Sequence, residues 1–310
     1  MATPLLPQEI WFLEVFSSSA YFKQVRDAWR TMLDDLEAAM DRQMRGLPAD
    51  YRSRPMSEQP DIGWGQRVIP NFRDTMQDLD SALIRMRSGE LLAMKLGGGP
   101  ASDQVGQIRD YPAYWLTDEE ARHFNRWMSE AASPSEAIRT TINGGWEPGD
   151  LVEISNLEGY YKLKLPTSWP LYRLNPKVRV ASGEMVSLTG IYLPDADGSC
   201  PQLFVAGDEW PVDDAQIGID NYGHHTSEVP TVWTLVERIA DNGGGIPGET
   251  DPIKAGVRLR CDANQACPLT GHWFTPAVVN SRRYFTQGDV MPDFKSDYGL
   301  TIWQWDEQQS

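Results

Sequence analysis

Cysteine, histidine and positive charge are all scarce in this chain. Its 310 residues hold 3 cysteines and 4 histidines, against 12 tryptophans. Cys200, Cys261 and Cys267 are an odd number and do not suggest a disulfide framework. So few thiols and imidazoles leave few nucleophile–base pairs to consider. Lys and Arg number 28 against 44 Asp and Glu, a formal net charge of −16. That balance argues against a nucleic-acid or anionic-membrane partner and favours a basic protein, although acidity is also a common route to solubility. No apolar run approaches the roughly eighteen residues a membrane-spanning helix needs. The start, "MATPLLPQEIWFLEVFSSSA", has no basic residue before its apolar part, and Glu9 and Glu14 interrupt that part, unlike a signal peptide. The expectation is a cytoplasmic protein.

Familiar catalytic signals are missing too. "LGGGPAS", Leu96 to Ser102, lacks the Lys-Ser/Thr and the preceding strand of a phosphate loop, and reads as a flexible connector. Asp195-Ala196-Asp197-Gly198 begins like a calcium loop without the later ligands, and reads as an Asp-Gly turn. Cys261, Cys267 and His272 lack paired Cys-x2-Cys spacing, and His224-His225 offer at most adventitious metal binding. No Gly-x-Ser-x-Gly elbow occurs. Carboxylate pairs are plentiful and a glycosidase-like pair stays open, but nothing singles one out. No catalytic residue, metal site or cofactor is assigned, and the chain is expected not to be an enzyme.

What is present begins with helices. From Ser18 to Arg45, Phe22, Val25, Trp29, Met32, Leu36, Met40 and Met44 recur every three or four positions. A second amphipathic segment follows Pro70, with Phe72, Met76, Leu79, Leu83 and Met86. "TDEEARHFNRWM" opens with Thr117 three residues before Glu120, a capping box. "SPSEAIRTTINGG" reads as a further helix with Ser133 as cap and Pro134 in its first turn. Short loops between such segments predict an antiparallel bundle. Near Gly144 the character changes. "LVEIS" and "YYKLKL" suggest a hairpin, and frequent prolines from Pro166 onward oppose helices. "TVWTLVERIA" reads as a strand, like its counterpart "LTIWQWDE". The expected fold class is α+β: a helical bundle over 1–146, then a mainly β domain over 147–310.

The β half repeats itself. "LTGIYLPDADGSCPQLFVAGDEWP", from Leu188, and "LTGHWFTPAVVNSRRYFTQGDVMP", from Leu269, align at an offset of 81. Leu, Thr and Gly open both, Phe204 matches Phe285, and Gly207-Asp208 matches Gly288-Asp289. Two divergent copies of a small β module follow, at about 178–237 and 257–307. Their shared residues are mostly structural: glycines at turns and aromatics in a small core.

Divergence marks the candidate site. Val180 to Glu237 holds no Lys or Arg, but does hold Glu184, Asp195, Asp197, Asp208, Glu209, Asp213, Asp214, Asp220, Glu228 and Glu237. A one-sign patch of this kind steers a basic partner, although it also serves as a solvated face. The candidate partner-binding residues are Asp195, Asp197, Asp208, Glu209, Trp210, Asp213, Asp214, Asp220 and Tyr222, with Tyr192, Trp210 and Tyr222 as aromatic anchors. The second copy carries Arg282, Arg283 and Lys295, which either pair with first-copy acids or meet a partner.

"CPLTGHWFTP", "SRRYFTQGDVMP" and "DYGLTIWQWDEQQS" resemble the C-terminal signature of immunity proteins from polymorphic-toxin and type VI secretion systems, families seventy-one and seventy-two. The pattern falls on Cys267-Pro268, Gly271, Trp273, Arg282 to Phe285, Gly288, Met291-Pro292, Tyr298-Gly299, Trp303 and Trp305. The first copy departs from it, with Pro201-Gln202 in place of the arginine pair. The resemblance implies a cognate inhibitor that binds and blocks a toxin of its own cell, with no catalytic residues to carry over; the expected mechanism is stoichiometric steric occlusion. The alternatives are an effector adaptor or chaperone of the same system, and third, a hydrolase reversing toxin damage.

Overall fold

A computed structural model describes residues 3–152, 159–166, 168–220, 222–240, 260–275, 278, 281–294 and 301–306. Helices occupy the N-terminal half and mostly antiparallel sheets the C-terminal half, an α+β protein. The helices are α1 (Pro7–Phe16), α2 (Ser19–Arg45), α3 (Pro60–Gly63), α4 (Ile69–Arg87), α5 (Gly99–Asp110) and α6 (Asp118–Ile142). Ser18 caps α2, its side chain accepting from the Tyr21 N–H at 3.1 Å. Thr117 and Glu120 form the expected capping box at the start of α6. Contacts between the helices show their relative directions. Arg30 pairs with Asp80 and Arg73 with Glu37, so α2 and α4 run antiparallel. Arg42 pairs with Glu120, while Asp35 lies 3.7 Å from His123 and Phe22 shares a packing site with Ile138, so α6 is also antiparallel to α2. Between them Trp29 is fully buried, edge-on to Phe72 and donating to its carbonyl at 3.0 Å.

Three local expectations are corrected, and one helix is added. The N-terminal segment, whose sequence shows no helical period, forms α1. It buries Ile10, Phe12, Leu13 and Phe16 with little polar surface to betray a period. Pro134 lies inside α6 rather than opening a new helix, so Ser133 is not a cap. Leu96 to Ser102 is not a flexible connector: Leu91–Gly98 is 3₁₀-helical and runs into α5. Gly97 is needed there because a Cβ would sit 2.7 Å from Phe22 and 2.8 Å from Ile138. The hairpin expected around residue 156 shows no strand among its described residues. Asp150–Val152 is 3₁₀-helical and Leu163 to Leu165 are unpaired. Residues 153–158 lie outside those described.

The strands are β1 (Leu171–Ala181), β2 (Gly190–Pro194), β3 (Gln202–Phe204), β4 (Ala215–Ile219), β5 (His225–Val229), β6 (Val232–Ala240), β7 (Arg260–Asp262), β8 (Gly271–Phe274), β9 (Arg283–Phe285) and β10 (Ile302–Trp305). One sheet has the order β1-β6-β2-β3 and another β7-β10-β8-β9, the same arrangement in each copy. Tyr192 pairs with Leu235 as Trp273 pairs with Trp305. The Thr189 hydroxyl accepts from the Ala206 N–H at 2.9 Å, and Thr270 accepts from Gln287 at 2.7 Å. Gly207 and Gly288 share a left-handed turn, at φ 86° and 95°. Each copy closes over its own aromatic core, Tyr192 with Trp233 in the first, Trp273 with Trp303 in the second. Trp233 matches Trp303, so the offset falls from 81 to 70 and the first copy is 11 residues longer. The β4–β5 hairpin lies within that longer stretch.

The compact units do not divide at residue 146. One comprises Met1–Leu165 with Asn175–Val236, and the other Pro166–Leu174 with Glu237–Ser310. The helices and the first β module therefore belong together. Their bond is physical: Trp146 stacks on Phe16, while its carbonyl accepts from Gln202 Nε2 at 2.7 Å and from Cys200 Sγ at 3.1 Å. Here the first copy's loss of the arginine pair has a reason. Gln202 is buried and bonded where its counterpart Arg283 is exposed.

Candidate protein-interaction surface

Three separate loops of the first module carry the nine candidate residues. Asp195 and Asp197 lie exposed in the turn after β2. Thr3 anchors that turn, its N–H and hydroxyl donating to the Ala196 carbonyl at 2.8 and 2.6 Å. Asp208, Glu209 and Trp210 follow β3, and Asp213 and Asp214 lead into β4. Asp220 and Tyr222 form the β4–β5 turn. The Asp220 carboxylate accepts from the backbone N–H groups of His224 at 3.0 Å and Tyr222 at 2.7 Å, which hold its pKa below the usual range. Trp210 and Tyr222 are 70% and 86% exposed. Tyr192 is not an anchor: it is 1% exposed, with its hydroxyl bonded to the Leu188 carbonyl at 2.6 Å. A core tyrosine in a period-two strand carries no mark that separates it from a surface one.

Four of the nine come together. A cavity of 150 Å³ is lined by Lys95, Asp208, Trp210 and Asp213, and an adjoining cleft of 440 Å³ by Asp213, Asp214, Glu228 and Trp233. Gly144, Phe204, Pro211, Val212 and Asp213 line both, so the two adjoin. Asp195, Asp197, Glu209, Asp220 and Tyr222 line neither. The loop between β3 and β4, which turns at Ala206–Gly207 and bends at Glu209–Trp210, places the acids here. The Trp233 indole donates to the Asp213 carbonyl at 3.1 Å, which pins that chain to the sheet.

The acids have counter-charges that their own stretch of sequence lacks. Lys95, from the helical half, reaches Asp208 at 2.7 Å, and Arg179 lies 3.9 Å from Asp195. Asp208 is therefore half-buried and spent in an ion pair, whereas Glu228 and Asp195 keep side chains more than half exposed. His225, which the sequence offers only as an adventitious metal ligand, meets two carboxylates. Its Nδ1 lies 2.8 Å from Glu147 and its Nε2 3.3 Å from Glu228, and its N–H also donates to Glu147 at 2.8 Å. Glu147 is 78 residues away in the chain, a distance at which no local pattern could have revealed it.

Elsewhere the thiols are structural in placement. Cys200, Cys261 and Cys267 are free and buried, and burial pushes the Cys200 thiol well up. Cys261 and Cys267 belong to the aromatic core of the second module, and His272 lies edge-on to Tyr284. Among the described residues no group of three or more His, Cys, Asp or Glu is arranged to hold a metal. Arg282 pairs with Asp306 of its own module, and the Arg283 guanidinium lies 5.4 Å from the Phe294 ring. Lys295 and Tyr298-Gly299 lie outside the described residues. No described helix is long and apolar enough to cross a membrane. No family model, curated protein or solved structure matches the chain.

Chemically, the acidic cleft is suited to cations. Its lining includes carboxylates, the rings of Phe204 and Trp233, and the exposed indole of Trp210. Such a set takes a lysine or arginine side chain together with apolar neighbours.

Proposed function

We propose that this chain is an immunity-type inhibitor that binds a cognate antibacterial toxin in the cytoplasm and occludes its active cleft. The observation that carries the proposal is Trp210, 70% exposed and lining a cavity with Asp213, next to a cleft lined by Asp213, Asp214 and Glu228. A large exposed aromatic beside unpaired acids is the composition of a binding hot spot for a basic surface. The C-terminal signature supports the same reading through its resemblance to secretion-system immunity proteins. In this reading the protein performs no catalysis and needs no cofactor. Its acids mimic the charge of a polyanion, Trp210 supplies apolar burial, and the helical half fixes the loops through Trp146 and Lys95.

The test is titration of this protein into the toxin encoded beside its gene, following toxin activity. Complete inhibition at one-to-one is the expected result. Asp213→Lys with Asp214→Lys is expected to weaken inhibition at least about tenfold while leaving the melting temperature unchanged. Binding without loss of activity would identify an adaptor instead. Rescue at substoichiometric amounts would identify an enzyme.

A further inference from the structure

A second cleft, of 540 Å³, lies among the helices and shares no residue with the acidic one. Its walls include Met56, Trp64, Arg67, Tyr111, Tyr114 and Trp115. The volume is that of a small-molecule site, and the lining of apolar rings with a few polar groups is the usual one. Trp64 is 2% exposed and meets Trp115 edge-on, at 5.7 Å between ring centres. Tyr114, by contrast, is 93% exposed and Met56 64%, so apolar surface stands open at the mouth.

Two features of this cleft are unspent. Arg67 donates to the Tyr111 hydroxyl at 3.2 Å but has no carboxylate partner among the described residues. Of the other charges at the cleft, Arg54 pairs with Asp50 and Asp110 with Arg109, while Glu58 has no ion pair among the described residues. The indole N–H of Trp115 is buried with no acceptor among the described residues, so it gains a hydrogen bond only if an acceptor enters and shifts its neighbours. The backbone is also unusual. Trp64–Val68 forms a π-helical turn, a form that is rare and recurs at functional sites, and it carries both Trp64 and Arg67.

We propose that this cleft binds a small aromatic carboxylate, with its ring against Trp64, Tyr111, Tyr114 and Trp115 and its carboxylate on the Arg67 guanidinium. Aromatic walls select a planar apolar body, and the unpaired guanidinium selects the anionic end through two parallel hydrogen bonds. The inference stands independently of any toxin.

The experiment uses the full chain and two probes, 2-naphthoate and its uncharged analogue 2-naphthamide, followed by calorimetry and tryptophan fluorescence. Naphthoate is expected to bind one-to-one with a Kd below about 1 mM, and the amide at least about tenfold more weakly. Arg67→Gln should erase the difference between the two probes, and Tyr114→Ala, at an exposed position, should weaken both. Equal affinity for the two probes in the unaltered chain would overturn the proposal without any variant, as would the absence of saturable naphthoate binding. An Arg67→Gln protein that melts normally and still prefers naphthoate would do the same.

Discussion

Glu9 shows how one side chain can tie stability to pH. It is 4% exposed in an apolar helix, with one carboxyl oxygen lacking a hydrogen-bond partner among the described residues, and burial pushes its pKa from 4.5 to about 7. The folded protein thus holds this proton more tightly than the unfolded chain. Below pH 4.5 the group costs nothing; stability then falls as pH rises to about 7 and is level above. A shift of this size corresponds to about 3 kcal/mol. Glu9→Gln should therefore stabilise the protein by about 2 kcal/mol at pH 8 and make little difference at pH 4, measured by urea unfolding at both values. A pH-independent difference would show that Glu9 is not the group that titrates. Glu120 is shifted the other way, to about 2, chiefly by its hydrogen bonds from Arg42. Its contribution is present above pH 4.5 and lost as pH falls towards 2, and solvent around this surface pair keeps it small. Neither shift was legible in the sequence. In the sequence Glu9 reads as an interruption of an apolar run, and its charge is felt by Cys200, 191 residues away in the chain.

At the scale of elements, what could be read was local. The capping box at Thr117 follows from side chains three residues apart, and the structure has both of its hydrogen bonds, from the Thr117 N–H to Glu120 at 2.8 Å and from the Glu120 N–H to the Thr117 hydroxyl at 3.3 Å. Thr117→Ala should lower stability by about 1 kcal/mol, seen as a lower urea midpoint with an unchanged slope. An unchanged midpoint would mean that tertiary packing, with the Arg42–Glu120 pair, holds this helix end without its cap. The long amphipathic helices were equally legible, because Phe22, Trp29 and Leu36 on α2 face inward at the spacing the helix imposes. Errors arose where a partner decides the local form. Pro134 reads as a helix start in isolation, but lies within a helix whose neighbouring Ser135 hydroxyl bonds the Gly97 carbonyl. The "YYKLKL" run has strand-forming residues but no strand partner among the described residues, and pairing decides such cases more than propensity does. The duplication was legible because register is copied with sequence: β2–β3 and β8–β9 pair residue for residue.

At the scale of the molecule, the site was half legible. Asp208, Trp210, Asp213 and Asp214 lie within seven residues, so their convergence on one cleft follows from the sequence. Lys95, Gly144 and Glu228 complete that cleft from distant segments, and only the packing of the first β module on the helices brings them there. Charge has a consequence at this scale that no single loop carries. With a net −16 distributed over the chain and exposed carboxylates beside Trp210, a basic toxin would be drawn in before any contact forms. Salt shortens the reach of that attraction to a few ångströms and leaves close contacts largely intact. Raising salt from about 50 mM to about 500 mM is therefore expected to slow association about tenfold and to change dissociation less than about threefold. Asp213→Lys with Asp214→Lys should flatten this salt dependence as well as slow association in low salt. If dissociation carried the salt effect instead, the acids would be acting as buried partners in the bound state, and the steering role assigned to them here would fall.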